Sequence, residues 1–403
     1  MTPDHELLLQ ALTGSTIPAG SGALLAGAVV RSPRTIWPWL LHRIEKSGST
    51  GVLPDALQAD LHRTRRNTAL LHLQQQAALR RIATAFAGAD IPVLVLKGMA
   101  LAHLVYPVPS LRPMSDVDLW VHPEDLPRAD SVLKETGFRY PERTHDGRQL
   151  PTAAEALVER SYELPGTPVL IEVHGSVKSF ASLGPDRADL VWRRGRAVEL
   201  GGIPVTVPCP ADLLLHVALH AADQHRFSLG LGPLVDVDRM LHRWGPTLDW
   251  GEMVVDWERH GVRTWMSVTL RLARDLLGSS VPDGALLASS PARAELYDLA
   301  LEQIWLPNRL LPGALERMAG ATGGHGGTRW LLRRLGAYWE KDDSVSWWRY
   351  PAVVAGRVAH DLTVKAPRYA RGWLSGEWRG REAMARKRGR IGELGGRADG
   401  RTV

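Results

Sequence analysis

The feature that most constrains the fold is a change of hydrophobic period after the first long helical stretch. Residues 57–88 repeat apolar side chains at helical spacing, whereas the next run, PVLVL at 92–96, is continuously apolar and has the length of a buried strand. Gly98 ends this run before another helical stretch. From Asp116 to Val121 polar and apolar residues alternate, as in a strand with one buried face. The chain must therefore place a small sheet among helices.

Three further segments extend the predicted sheet. Residues 157–164 and 169–173 read as strands, and Gly166 and Pro168 between them favour a hairpin. Residues 205–207 add a short strand, after which the pattern is helical. We predict an α+β fold in which a small mixed β-sheet is flanked by N-terminal and C-terminal helical regions.

The predicted organisation has four parts. They are an N-terminal helical region (1–88), an α/β core (89–208), a C-terminal helical domain (209–320), and a Trp- and Arg-rich helical extension with a basic flexible tail (321–403).

The net charge of +6 is concentrated at one end of the chain. Residues 371–403 hold nine Arg or Lys and four acidic residues, so they carry five of the six net positive charges. A nearly neutral body argues against an extended nucleic-acid surface, whereas the tail can make a weak contact with an anionic surface.

Other sequence features limit the compartment and the chemistry. Cys209 is the only cysteine, which excludes an internal disulfide and a thiolate metal cluster. The sequence has no apolar run of about 18 residues and no signal-peptide pattern near residue 1. We expect a cytoplasmic protein with no membrane span.

Three acidic side chains in the predicted strands indicate a cation site. Asp116 and Asp118 lie two apart, so they share one face of a strand, and Glu172 and His174 share one face of another. Mg²⁺ prefers oxygen ligands, and two such ions can hold the attacking and leaving oxygens of a phosphoryl transfer. We predict that Asp116, Asp118 and Glu172 bind two Mg²⁺ ions, with Mn²⁺ as an alternative. Glu172 can also help to accept the proton of an incoming hydroxyl.

The turn after the first strand indicates a phosphate site. The chain passes from Lys97 and Gly98 into a helix, where free N–H groups and the helix dipole favour an anion. A side chain at Gly98 would hold phosphates away from these donors. The other predicted nucleotide- and phosphate-binding residues are Lys97, Arg112 and Ser115. A lone D-x-D pair or turn glycine is common, but their order along this chain is specific to a metal and phosphate site.

Several of these segments resemble a known family. The sequences LKGMALAHLVY, RPMSDVDLWV, LKETGF and IEVHGSV are similar to the core of the uncharacterised nucleotidyltransferase family of the DNA polymerase β-like nucleotidyltransferase superfamily. The similarity continues through PADLLLHVALHAADQHRF, LVDVDRML and LDWGEM, and covers roughly residues 57–280.

The resemblance implies an activity and the residues for it. Members of the superfamily transfer a nucleotidyl group from a nucleoside triphosphate (NTP) to an acceptor and release pyrophosphate. Mapped onto this chain, the turn is Gly98, the metal pair is Asp116 and Asp118, and the third acid is Glu172. One departure is Met99, because the commoner superfamily turn has a serine there that contacts phosphate.

A second group of residues supports a competing hypothesis. His216 and His220 lie four apart on a predicted helix, and a metal-dependent hydrolase could use them with acidic and histidine residues downstream. The glutamate of an H-E-x-x-H site is absent from HVALH. The downstream candidates are Asp223, His225, Asp236 and Asp238.

Two further alternatives remain open from the sequence. His216 and His220 can instead pack and hydrogen-bond against the catalytic domain, or line an acceptor pocket with His174. The chain can also be a catalytically inactive nucleotide-binding scaffold. The acceptor could be a small molecule, a sugar, a peptide or a protein, because the fold alone does not choose one. The preferred nucleobase is equally open.

Overall fold

A computed structural model of the chain describes residues 1–141 and 159–305. The helical extension and basic tail predicted over 321–403, and residues 157–158 of the predicted hairpin, lie outside this description. The described strands are β1 (Leu94–Val95), β2 (Asp116–Trp120), β3 (Glu159–Glu163), β4 (Leu170–His174), β5 (Arg196–Glu199) and β6 (Pro204–Val207). The described α-helices are α1 (Pro3–Thr13), α2 (Gly22–Arg31), α3 (Trp37–Lys46), α4 (Asp55–Gly88), α5 (Lys97–Leu104), α6 (Leu126–Glu135), α7 (Lys178–Ala181), α8 (Pro185–Arg193), α9 (Pro210–Leu219), α10 (Leu231–Trp244), α11 (Trp250–Arg259), α12 (Arg263–Leu277) and α13 (Pro291–Trp305).

The six strands form one mixed sheet in the order β3-β4-β2-β1-β6-β5. Strands β2 and β4 are parallel, as are β1 and β6, whereas the other neighbouring pairs are antiparallel. Helices flank the sheet, so the α+β prediction is confirmed, and β3 and β4 form the predicted hairpin. Sequence reasoning missed β5, because its four residues are largely exposed and carry no apolar alternation.

The two faces of the sheet pack against different helices. Val95 and Leu119 lie in a core with α4 and α6, whereas Leu94 and Trp120 point into a second core formed by the N-terminal and C-terminal helices. This alternation follows from the two-residue period of a strand. The domain boundaries at 88 and 208 stay predictions, and the second core is shared by helices from both ends of the described chain.

Helix α5 begins directly where β1 ends. The Leu96 N–H donates to the Asp118 carbonyl (3.0 Å), so the chain is still beside β2 when the first turn of α5 begins at Lys97. The sheet and helix geometry thus places the predicted phosphate turn next to the aspartates. None of the described helices has the length and apolar character needed to cross a bilayer.

A buried polar network connects this region to helix α10. The Arg112 guanidinium donates from Nε and Nη2 to the two carboxylate oxygens of Asp236, at 2.9 and 2.8 Å. The Tyr106 hydroxyl donates to the same carboxylate at 2.7 Å. Breaking a buried, hydrogen-bonded ion pair on one side leaves an uncompensated charge, so this network should hold the sheet against the C-terminal helices.

We predict that Asp236→Asn lowers the free energy of unfolding by about 3–5 kcal/mol, because Arg112 then keeps its buried charge without a carboxylate partner. Urea titration of the variant measures this loss. The matched control is Asp60→Asn, which breaks the exposed pair between Asp60 and Arg63 and should change the stability little. Equal effects of the two substitutions would contradict the proposed importance of the network.

Candidate active site

The parallel pairing of β2 and β4 places the predicted acids side by side. In this register Asp118 is opposite Glu172 and Trp120 is opposite His174. One ligand atom each from Asp118, Glu172 and His174 lies within 4.8 Å of the others. Residues far apart in the sequence thus form one group of potential metal ligands.

Asp118 is the most enclosed member of the group, with 2% of its side chain exposed. Its Oδ1 accepts from Lys97 Nζ at 3.3 Å and lies 3.1 Å from His174 Nε2. Its Oδ2 is 3.2 Å from the same Lys97 Nζ but outside hydrogen-bonding geometry, and no group in the described part of the chain donates a hydrogen bond to this buried oxygen. A buried oxygen without a hydrogen bond is suited to coordinate a cation.

The other two acids crowd Asp118 electrostatically. Burial raises the pKa of Glu172 to about 8, and repulsion from Asp116 and Asp118 adds to this effect. Burial, followed by repulsion from Asp118, also raises the pKa of Asp116. Asp116 lies outside the group of three ligands and accepts a 2.9 Å hydrogen bond from Ser115 Oγ. A divalent cation would relieve this repulsion.

His174 belongs to the acidic group, whereas the sequence suggested only an acceptor-pocket role for it. Its Nδ1 lies 3.4 Å from Glu159 Oε2, and its Nε2 lies 4.0 Å from Glu172 Oε2. Burial acts to lower the pKa of His174, but hydrogen bonds to Asp118 and Glu159 outweigh it and raise the pKa to about 9. Sequence reasoning missed Glu159. The signal that could have identified it is the register of the predicted hairpin, because this register pairs Glu159 with His174.

This donor set fits a divalent cation. Two carboxylates suit Mg²⁺ or Mn²⁺, and the imidazole nitrogen is a better ligand for a transition metal than for Mg²⁺. Lys97 and His174 supply positive charge beside Asp118. Burial acts to lower the pKa of Lys97, but attraction to Asp118 and Asp116 outweighs it and raises the pKa.

The predicted phosphate residues gather at the start of α5. Gly98 is buried in the first turn of the helix, where backbone N–H groups lack partners within the helix. A Cβ at Gly98 would lie 3.4 Å from Met114 Sδ and 3.6 Å from both Arg112 Nη1 and the Asp116 carbonyl oxygen. These are ordinary van der Waals distances, so the segment before β2 leaves room for a Cβ here, and the role of Gly98 toward phosphate stays a prediction.

Arg112 is engaged by protein groups rather than free at the site. Besides the forked contact with Asp236, its Nη1 donates to the Gly98 carbonyl at 3.3 Å. A direct contact of Arg112 with phosphate therefore stays a prediction, and the observed contacts give the residue a positioning role for the α5 turn.

The helical histidines do not join the group of metal ligands. His216 is buried, with its Nδ1 2.5 Å from Ser179 Oγ, and burial together with the Lys97 charge lowers its pKa to about 3. Burial also holds the pKa of His220 well below its usual value. In residues 1–141 and 159–305, the acids proposed to accompany them have other ion-pair partners, namely Arg226 for Asp223, Arg112 for Asp236 and Arg239 for Asp238. The described geometry therefore favours the carboxylate group as the cation site.

We predict that cation binding releases protons near neutral pH, because Glu172 and His174, with pKa values of about 8 and 9, must lose protons to become ligands. Affinity for Mn²⁺ should therefore rise between about pH 7 and pH 9. Calorimetric titration in two buffers with different ionisation enthalpies counts the protons released. Binding with no proton release would contradict this assignment of the ligands.

We also predict that Glu172→Gln stabilises the metal-free protein above neutral pH. When folding raises the pKa of a carboxyl, the folded protein loses stability as the pH rises from the pKa of the unfolded state to about 8. The amide of Gln does not titrate and avoids this loss. After allowance for solvent screening we expect a gain of about 1–3 kcal/mol near pH 9 and little gain near pH 4. Urea titration measures it, with the exposed Glu199→Gln as the control. A pH-independent effect would show that Glu172 is not crowded by its neighbours.

Comparison with known proteins identifies the family of the chain. The family described as an uncharacterised nucleotidyltransferase matches residues 33–278, which is more than half of the chain. Every predicted site residue lies within the matched region. No curated protein matches the sequence significantly. The chain therefore belongs to the uncharacterised nucleotidyltransferase family.

Proposed function

We propose that this protein is a divalent-cation-dependent enzyme that transfers a nucleoside monophosphate from an NTP to an acceptor and releases pyrophosphate. Family membership supports nucleotidyl transfer in general. The observation that carries the finer proposal is the convergence of Asp118, Glu172 and His174 beside the first turn of α5. This convergence supports a cation site and a phosphate site next to each other.

Asp118 and Glu172 would hold the first cation, and Asp116 would help to hold a second. Mg²⁺ is the proposed ion, and Mn²⁺ would make better use of the His174 nitrogen. When bound, the cations would offset the charge of the triphosphate and of the crowded carboxylates. His174 is oriented by Glu159, which places its Nε2 toward Asp118.

The residues of the chain have separate roles in the proposed reaction. An acceptor oxygen forms a bond to the α-phosphorus while the bond from this phosphorus to the bridging oxygen of pyrophosphate breaks. Glu172, in its ionised form, accepts the proton of the acceptor hydroxyl. Lys97 and the N–H groups of the first turn of α5 bind the negative charge of the leaving pyrophosphate. The acceptor is a small molecule, a sugar, a peptide or a protein that presents a hydroxyl or similar group.

We predict that the double substitution Asp116→Asn with Asp118→Asn weakens binding of Mn²⁺ and of the Mn²⁺–NTP complex at least about tenfold, because two ligand carboxylates become neutral amides. Calorimetry on the full chain measures both affinities. Asp238→Asn is the matched control, since Asp238 pairs with Arg239 and Ser279 away from the ligand group. It should leave both affinities unchanged.

The hydrolase hypothesis makes the opposite prediction. There His216→Ala with His220→Ala would abolish metal binding while the double aspartate variant kept it. That result would contradict the proposed function. An inactive scaffold would bind the NTP complex through the aspartates but transfer no nucleotide to any acceptor.

A further inference from the structure

A cavity of about 180 Å³ adjoins the proposed site and has no role in the reaction as described so far. Lys97 links the two, because it contacts the Asp118 carboxylate and also lines the cavity. The remaining walls come from the N-terminal helices, the segment after α5, and the region from α9 to α10.

The walls of this cavity are mainly apolar. Ile36, Trp39, Leu111, Val217 and Val235 supply aliphatic and aromatic surface. An apolar wall with few hydrogen-bonding groups favours a flat or aliphatic occupant over a charged one. An engineered cavity of about 150 Å³ in another protein holds benzene, so this volume suits a ring of comparable size.

The polar groups in the walls are mostly satisfied by one another. Tyr106 and Arg112 both donate to Asp236, which leaves little of their capacity for a ligand. Besides Lys97, the other polar side chains in the lining are those of Thr35 and His220, and the His220 ring also contacts the rings of His216 and His225. We expect an occupant with an apolar face and a modest requirement for specific hydrogen bonds.

The sheet topology separates this cavity from the proposed proton acceptor. Strand β2, which carries Asp118, has β1 on one side and β4 on the other. Lys97 follows β1, whereas Glu172 lies on β4. An in-line displacement brings the acceptor from one side of the phosphorus and releases pyrophosphate on the other. The cavity beside Lys97 therefore lies on the β1 side of Asp118, away from Glu172 and next to a residue proposed to bind the phosphates of the NTP.

The backbone at one wall is irregular. Helix α9 continues into a π-helical turn, His220–Gln224, and Arg226 and Phe227 follow with positive φ angles of 48° and 59°. Such conformations are costly for residues other than glycine and are often retained at functional sites. Of these residues, His220 lines the cavity.

We propose that this cavity binds the nucleobase of the NTP. The proposal rests on the proposed function, because it assumes that the triphosphate lies at Lys97 and the start of α5. An acceptor in the same cavity would lie on the opposite side of Asp118 from Glu172. Because few polar groups are available, the site recognises a base mainly through its flat apolar surface and discriminates weakly among the four bases.

A larger cavity of about 330 Å³ supports no comparable proposal. It is lined by Arg187, Arg194 and Arg196 together with three acids, and contains none of the predicted site residues. Arg187 and Arg194 already form ion pairs with Asp256 and Glu252, so these walls do not specify one class of ligand.

The test fills the cavity without touching the carboxylates. Gly232 lines it, and outside the backbone of its own helix a Cβ there would approach one described atom, Thr35 Oγ1, at 3.6 Å, so Gly232→Ala should be tolerated. Gly232→Leu adds a branched side chain at the same position. Gly88→Leu is the control for a glycine-to-leucine change, because outside the backbone of its own helix no described atom lies within 4 Å of a Cβ there. Melting temperatures first establish that each variant folds.

Calorimetry in the presence of Mn²⁺ then compares the affinity of each variant for tripolyphosphate with its affinity for each of the four α,β-methylene nucleoside triphosphates. We expect the native chain to bind the nucleotides about tenfold or more tightly than tripolyphosphate. Gly232→Leu should reduce the ratio of nucleotide affinity to tripolyphosphate affinity to about one without weakening the binding of tripolyphosphate. Gly232→Ala and Gly88→Leu should keep most of this preference for nucleotides.

Three other results would overturn the proposal, and each can be distinguished from the other two. Equal affinities for nucleotides and tripolyphosphate in the native chain would exclude a nucleobase site while leaving the proposed function intact. An unchanged ratio in folded Gly232→Leu would place the base elsewhere. Failure of the native chain to bind any of these polyphosphates would remove the proposed function and this inference together.

Discussion

The parallel pairing of β2 with β4 is the interaction on which the site depends. It sets Asp118 opposite Glu172 and, two residues further on, Trp120 opposite His174. A shift of one residue in this register would turn the ligand side chains of one strand to the opposite face. The register is held by the buried apolar neighbours Val117, Leu119, Ile171 and Val173.

The electrostatics of the site follow from that geometry. Carboxylates brought this close are costly to ionise together, and the protein compensates with Lys97 and His174 at Asp118. Among residues 1–141 and 159–305, Glu172 has no such cation in hydrogen-bonding contact, and burial and its acidic neighbours raise its pKa to about 8. A cation bound among these groups would therefore displace protons from Glu172 and His174. The stability of the site and its affinity for the ion are coupled through the same groups.

Much of the central fold could be predicted because it depends on local pattern. The alternation around Asp116 and Asp118 and the turn chemistry at Gly166 give strands and a hairpin without knowledge of the tertiary structure. The same reasoning missed β5, whose exposed residues carry no pattern. It also could not show that helices from both ends of the described chain share a core, since that depends on packing between distant segments.

The candidate site was predictable only in part for the same physical reason. Spacing along a strand identifies which acids share a face, but the partners of a charged side chain depend on the fold. The forked contact of Arg112 with Asp236 depends on the packing of distant segments. The contact of Glu159 with His174 depends on the register between β3 and β4. Sequence spacing also gave no indication that Lys97 connects the carboxylates to a mainly apolar cavity.

The central claim is that Asp118 and Glu172 hold a divalent cation beside the start of α5. The most direct measurement is anomalous diffraction from crystals of the full chain soaked with Mn²⁺. We predict an anomalous peak in coordination distance of Asp118 Oδ2 and a Glu172 carboxylate oxygen, with Lys97 Nζ displaced from Asp118. A peak at His216 and His220 instead, or an intact Lys97–Asp118 contact with no Mn²⁺ beside Glu172, would contradict the claim.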